Sequence, residues 1–166
     1  GSLARMTDPR RVTLTLRSPE ATAALARGLA PRLAPGDTLL LAGPVGAGKS
    51  HFARALIGAL LREPEDIPSP TYTLVQSYEG RSGPVWHADL YRLGDPAELA
   101  ELGLDEAFGT AICLVEWPER LGEMAPANAL HLTLSPTDEA ETRHLDVLWT
   151  APRWDAAVRG LADAAA

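Results

Sequence analysis

Lysine is almost missing from this chain. Fifteen basic residues are present, fourteen of them are arginine, and Lys49 stands alone. Cysteine is just as scarce. The single Cys113 excludes an intrachain disulfide and suits a reducing compartment. It lies in the apolar run AICLVEW, where a thiol reads as a small buried residue rather than a nucleophile. Aromatic residues make up only 5%. No apolar run approaches the ~18 residues of a membrane span, and the opening GSLARMTDPRR holds no apolar stretch of signal-peptide kind. A cytoplasmic protein with no membrane attachment is therefore expected. The net charge of -7 argues against a dedicated nucleic-acid binder, which normally carries a basic face.

What is present suits one globular domain. The 166 residues are 46% hydrophobic and 22% charged, enough for a sizeable core. Gly1-Ser2 reads as a cloning remnant, residues 1–11 as a flexible tail, and residues 12–166 as a single domain. VTLTLR, from Val12, alternates as a strand does, and Ser18-Pro19-Glu20 supplies an N-cap, a first-turn proline and an acidic first turn for a helix reaching about Ala30. DTLLLA, between Gly36 and Gly43, is continuously apolar and reads as a central strand covered on both faces. TYTLVQSY and PVWHADLYRL predict two strands joined by EGRSG, and PAELAELG a helix ended by Gly103. AICLVEW predicts another buried strand, ALHLTL and RHLDVLW an antiparallel pair, and RWDAAVRGLADA a closing helix. Strand–loop–helix units interleaved with hairpins imply an α/β fold on a mixed sheet.

The lone lysine falls in GPVGAGKS, residues 43–50, which fits G-x-x-x-x-G-K-[ST] with Gly43, Gly48, Lys49 and Ser50 in the fixed places. Glycines let such a loop curl until successive backbone N–H groups point at phosphate oxygens. The helix that begins there adds its positive dipole end. The lysine reaches the β- and γ-phosphates as a point charge, and the serine hydroxyl ligates Mg²⁺. Arginine's planar fork is a poor replacement for a compact ammonium. In a chain of this composition the pattern arises by chance about once in a thousand sequences. A guanine-reading N-K-x-D is impossible here, because the only lysine is already placed, and no D-x-x-G occurs. ATP is therefore the expected nucleotide. Magnesium usually takes one or two carboxylates, and two candidates lie at predicted strand ends, Glu116 in ICLVEW and Asp89 in VWHADLYRL.

GPVGAGKS, SPTYTLV (residues 69–75), HADLYRL (87–93) and LVEWPE (114–119) follow one another in the order seen in the TsaE, or YjeE, family, the bacterial ATPases of tRNA threonylcarbamoyladenosine biosynthesis. The chain resembles that family from about Val12 to Leu134, and no motif is matched beyond Leu134. The resemblance implies a P-loop NTPase-like three-layer α/β sandwich with a mixed, mainly parallel central sheet. It implies ATP binding by Gly43, Gly46, Ala47, Gly48, Lys49, Ser50 and His51, with Thr22 as an adenine-side contact. Family members usually carry two threonines after the lysine; Ser50 keeps a hydroxyl, while His51 keeps only its backbone N–H for the α-phosphate. Lys49, Asp89 and Glu116 are the implied catalytic residues, and Ser50, Glu116 and Asp89 the implied metal ligands, directly or through water. Ser69 and Thr71 are read as a γ-phosphate switch, the rival reading being a proline turn before an edge strand. His87, on the same strand face as Asp89, reads as a hydrogen-bonding support. Arg92 serves transition-state charge or a solvated salt bridge, and Trp117 packs near the site.

The implied activity is Mg²⁺-dependent hydrolysis of ATP to ADP and phosphate, weak alone and stimulated by TsaD and TsaB. tRNA is then met only through that complex. Two other readings stay open on the residues alone. One is a small P-loop kinase that phosphorylates a metabolite or nucleotide, and the other is a non-catalytic ATP-dependent interaction switch.

Overall fold

Four successive buried residues in Thr38–Ala42 leave that strand no solvent face, and the sheet is built outward from it. The computed structural model describes residues 10–68, 70 and 74–165. In chain order the first half comprises β1 (Arg10–Leu16), α1 (Pro19–Leu29), β2 (Thr38–Ala42), α2 (Lys49–Leu60), β3 (Val75–Gly80) and β4 (Gly83–Asp89). The second half comprises α3 (Ala97–Glu101), α4 (Leu104–Thr110), β5 (Ile112–Glu116), β6 (Leu130–Pro136), β7 (Arg143–Trp149) and α5 (Trp154–Ala165). The strands lie in the order β1-β7-β6-β2-β5-β4-β3. β2 runs parallel to both β5 and β6, and β4 parallel to β5. β3, β7 and β1 join by antiparallel pairing, so the sheet is mixed and mostly parallel, as the sequence implies.

Strand period two assigns the faces. Leu39 and Leu41 point to one side, where Phe52, Leu56 and Ile57 of α2, Leu29 of α1 and Trp154 of α5 meet them. Leu40, Ala88 and Val115 point to the other, against Leu99 of α3 and Leu104 of α4. Three layers result. Cys113 is fully buried in the sheet and burial pushes its thiol up to about 12, in keeping with an inert packing role.

Helix starts follow local chemistry. Ser18 Oγ accepts the Ala21 N–H at 3.0 Å, with Pro19 in the first turn. α2 differs: its N-cap is Gly48, left-handed at φ 100, with no side-chain cap. Its first amides are thus not taken by a capping side chain.

Several elements depart from the sequence reading. β3 begins at Val75, inside the expected strand TYTLVQSY, because Leu74 just before it is left-handed at φ 64. β1 starts at Arg10, ahead of the expected Val12, because Arg10 and Arg11 pair with Trp149 and Leu148, and Arg11 also bonds Asp146 at 3.0 Å. β4 ends at Asp89 instead of running on to Leu93: the Asp89 carboxylate accepts the Tyr91 N–H at 3.1 Å, an Asx turn that bends the chain off the sheet. A 3-10 segment, Pro118–Met124, follows β5 where none was expected. It begins because Trp117 is left-handed at φ 58, just before a proline that disfavours the right-handed helical region.

Candidate functional site

The glycine loop leaves the carboxyl end of β2 and returns as α2, flanked by the carboxyl ends of β5 and β4. This is where open α/β sheets place ligands. Gly43 is bound to its identity by close approach: at φ 144, a Cβ there would stand 2.5 Å from the Leu134 carbonyl oxygen. Lys49 begins α2 and is only 7% exposed. Its ammonium folds back over the loop, donating to the Gly43 carbonyl at 2.6 Å and lying 3.5 Å from the centre of the Trp117 ring. Burial lowers its pKa, and Glu116, Glu119 and Asp89 act in the opposite direction. The left-handed backbone of Trp117, costly for a bulky residue by roughly 1–3 kcal/mol, is thus found at the residue whose ring covers the lysine. Sequence reading placed Trp117 near the site as packing; the structure puts its ring against the key cation.

The two candidate carboxylates are register neighbours, Asp89 opposite Glu116 on the parallel β4–β5 pair. Glu116 is 3% exposed and its Oε2 lies 2.6 Å from His87 Nε2, itself buried. His87 is therefore a hydrogen-bonding support, and the group it holds is Glu116 on the next strand. Its Nδ1 finds no partner among the described residues. Asp89 is half-buried. Burial raises its pKa above the usual aspartate range, Glu116 adds to that, and the Tyr91 amide, His87 and Lys49 oppose it.

A raised carboxyl pKa is a stability cost at neutral pH. Below the usual aspartate value of ~3.9 both folded and unfolded states hold the proton, so the cost is absent; it grows as pH rises through the folded-state value and is then constant. Asp89→Asn, which keeps the acceptor for Tyr91, is expected to melt higher than the wild-type chain, with a gap that widens from about pH 4 toward neutrality. Scanning calorimetry across that range tests this, and a gap independent of pH would contradict it.

Together these groups line a depression of about 570 Å³, with Val45, Gly46, Gly48, Lys49, Ser50 and His51 from the loop and helix on one side. Asp89, Tyr91, Arg92, Glu116 and Trp117 form the other. A second depression of about 580 Å³ lies on the β3–β4 hairpin around Arg62, Tyr78 and Trp86 and contains none of the phosphate-loop residues. Ser50 is exposed on the first turn of α2. The His51 ring donates to the Pro19 carbonyl at 2.8 Å, tying α2 to the start of α1. Thr22 is not brought into the depression: it is 3% exposed and its hydroxyl donates to the Ser18 carbonyl at 3.3 Å, closing the first turn of α1. Ser69 and Thr71 lie outside the described residues. The Leu74 carbonyl accepts the Asp89 N–H at 2.8 Å.

Three lining residues escaped the sequence reading, and one of them, Tyr91, stacks its ring near Trp117. Arg54 follows Ser50 by four residues on α2, a same-face spacing that was legible. Val45 is 78% exposed at the loop tip. Ser50, Asp89 and Glu116 offer hard oxygen donors. Among the described residues no group of three His, Cys, Asp or Glu side chains is arranged to hold a metal. That donor set fits magnesium, which takes few protein ligands and completes its shell with phosphate and water, and does not fit a structural zinc site.

The family model described as "Threonylcarbamoyl adenosine biosynthesis protein TsaE" matches residues 16–145. The chain belongs to the TsaE family. Curated TsaE proteins agree: that of Rickettsia conorii is 40% identical over 124 residues, 75% of this chain and 71% of the relative. That of Bacillus subtilis is 37% identical over 125 residues, 75% and 77% of the two chains. Among solved structures, Bacillus subtilis YdiB superposes with a TM-score of 0.77 at 27% identity, covering 95% of this chain and 97% of that one. The TsaE match runs from the end of β1 into the start of β7, and so takes in residues 135–145 of the stretch after Leu134, in which the sequence offered no recognised motif.

Proposed function

We propose that this TsaE-family chain is a magnesium-dependent ATPase that hydrolyses ATP to ADP and phosphate in the cytoplasm, working with TsaD and TsaB in forming N6-threonylcarbamoyladenosine in tRNA. Its hydrolysis supports repeated turnovers of that complex, and tRNA is reached through the partners. The observation that carries the reading is the buried Lys49 ammonium, held inside a glycine loop at the strand ends and facing two carboxylates.

Each residue has a task in that reaction. On binding, the Lys49 ammonium exchanges the Gly43 carbonyl for β- and γ-phosphate oxygens, keeping its charge paired throughout. The amides at the start of α2 take phosphate oxygens in place of a capping side chain. Ser50, Glu116 and Asp89 are the residues that would hold magnesium, directly or through water, and the ion would neutralise charge on the β- and γ-phosphates. His87 fixes Glu116 in one orientation. Asp89, with a carboxyl poised by burial, orients the attacking water. The Trp117 and Tyr91 rings, 4.9 Å apart, limit water at the mouth.

Phosphate release from ATP, measured with and without a matched TsaD–TsaB pair, tests the reading. Slow release alone and a several-fold rise with the pair are expected. A phosphorylated small-molecule product in place of free phosphate would make the protein a kinase. Release that the pair leaves unchanged would remove the coupling.

A further inference from the structure

Arg143 opens β7, far from the glycine loop in sequence, yet it grips that loop from its outer side. Its Nε donates to the Ala47 carbonyl at 3.0 Å and its Nη2 reaches the Gly46 carbonyl at 3.5 Å. Its Nη1 meanwhile donates to the Thr142 carbonyl at 3.1 Å, which fixes the guanidinium against its own strand. The fork therefore spans three carbonyls. A single ammonium lacks that reach, which is consistent with arginine here and lysine only at position 49.

The geometry has a consequence on the inner side. In a trans peptide the carbonyl and the following N–H point in opposite directions. Holding the Ala47 oxygen outward turns the Gly48 N–H inward, beside Lys49 at the start of α2. The Ala47 N–H is committed to the Pro44 carbonyl at 3.1 Å, so Gly48 is the amide this grip governs. Both neighbouring glycines are left-handed, Gly46 at φ 85 and Gly48 at φ 100, and such a stretch has much conformational freedom to lose. A clamp that removes this freedom beforehand lowers the entropy cost of binding. The bonds are charge-assisted, and each polarises the peptide that presents the N–H.

We propose that Arg143 is a positioning residue for the phosphate loop, presetting the Ala47–Gly48 peptide and so setting affinity for the polyphosphate tail. This rests on the nucleotide reading above. The stretch after Leu134 thereby acquires a role at the site: β7 holds the turn of the loop that follows Gly43, which β6 already backs through the Leu134 carbonyl.

The test uses the full chain with two probes, MgADP and inorganic tripolyphosphate, titrated by calorimetry into wild type, Arg143→Ala and Arg143→Lys. Arg143→Ala is expected to weaken both probes by about tenfold, the cost of ordering the Ala47–Gly48 peptide only on binding. Arg143→Lys, which keeps the charge and loses the fork, is expected to fall between. Melting temperature without nucleotide should fall modestly in Arg143→Ala, since the buried Ala47 carbonyl loses its donor, so affinity is the deciding readout. In turnover the loss should appear as a higher KM, with kcat at saturation within about twofold. A purely structural role would lower the melting temperature and leave affinity alone. Should Arg143→Ala be too unstable to titrate, Arg143→Lys decides: weaker binding supports the assignment, and equal binding overturns it. Failure of the wild-type chain to bind either probe removes the nucleotide reading and this inference together. Equal binding by wild type and Arg143→Ala removes this inference alone.

Discussion

Lys49→Ala is expected to weaken MgADP binding by about a hundredfold or more, a loss large enough to erase the calorimetric signal at ordinary concentrations. Among the described residues the lysine is the one cation placed inside the phosphate loop, and its environment makes the charge effective. At 7% exposure it is poorly solvated, so a phosphate replaces few water contacts when it binds. Lys49→Arg should recover little, since the planar fork has to fit the space between the Gly43 carbonyl and the Trp117 ring. The pH dependence has a definite sign. Burial depresses the lysine's pKa from 10.5, so the ammonium is lost at lower pH than in a free lysine, and affinity should decline on the alkaline side beginning below the ordinary lysine range. Unchanged affinity in Lys49→Ala, with circular dichroism confirming the fold, would be incompatible with the proposed site.

Glu116→Gln is expected to reduce ATP turnover by about a hundredfold or more while leaving nucleotide affinity within a few-fold of wild type. The substitution is nearly isosteric and keeps an oxygen that can accept from His87, so the buried pair survives as a hydrogen bond and only the charge is lost. Separating the two effects matters because Glu116 is buried at 3% exposure. Truncation to alanine would leave the His87 ring unsatisfied on both nitrogens and confound chemistry with folding. Phosphate release at saturating ATP is the measurement. Turnover within a few-fold of wild type would move the essential negative charge from Glu116 to Asp89.

Features carried by contiguous residues were legible in the sequence. GPVGAGKS, the buried strand before it and the helix after it are local consequences of glycine spacing and apolar runs, and they stand where expected. The alternation in HADLYRL placed His87 and Asp89 on one face correctly. What it withheld was the partner, because the bond from His87 to Glu116 depends on β4 lying beside β5 in one register. The early start of β1 has the same origin, since Arg10 and Arg11 are ordered by the distant β7. The early end of β4 was in principle readable, because Asp89 two residues before Tyr91 is an Asx-turn signal that the following apolar residues obscured. Thr22 was assigned from family position alone, and the local capping geometry that buries it gave no hint of an adenine contact. Arg143 was invisible for a different reason: nothing in TRHLDVLW marks one arginine among fourteen until the fold sets it behind the loop.

The strand order carries a consequence for how the molecule comes into being. β2 is made early, yet both of its hydrogen-bonding neighbours, β5 and β6, belong to the second half of the polypeptide. While a ribosome is still extending the chain, this apolar strand has no ladder to join, and pairings of such long sequence separation form slowly. A nascent fragment stopping before Ile112 would therefore display an unpaired greasy edge, inviting chaperones or aggregation.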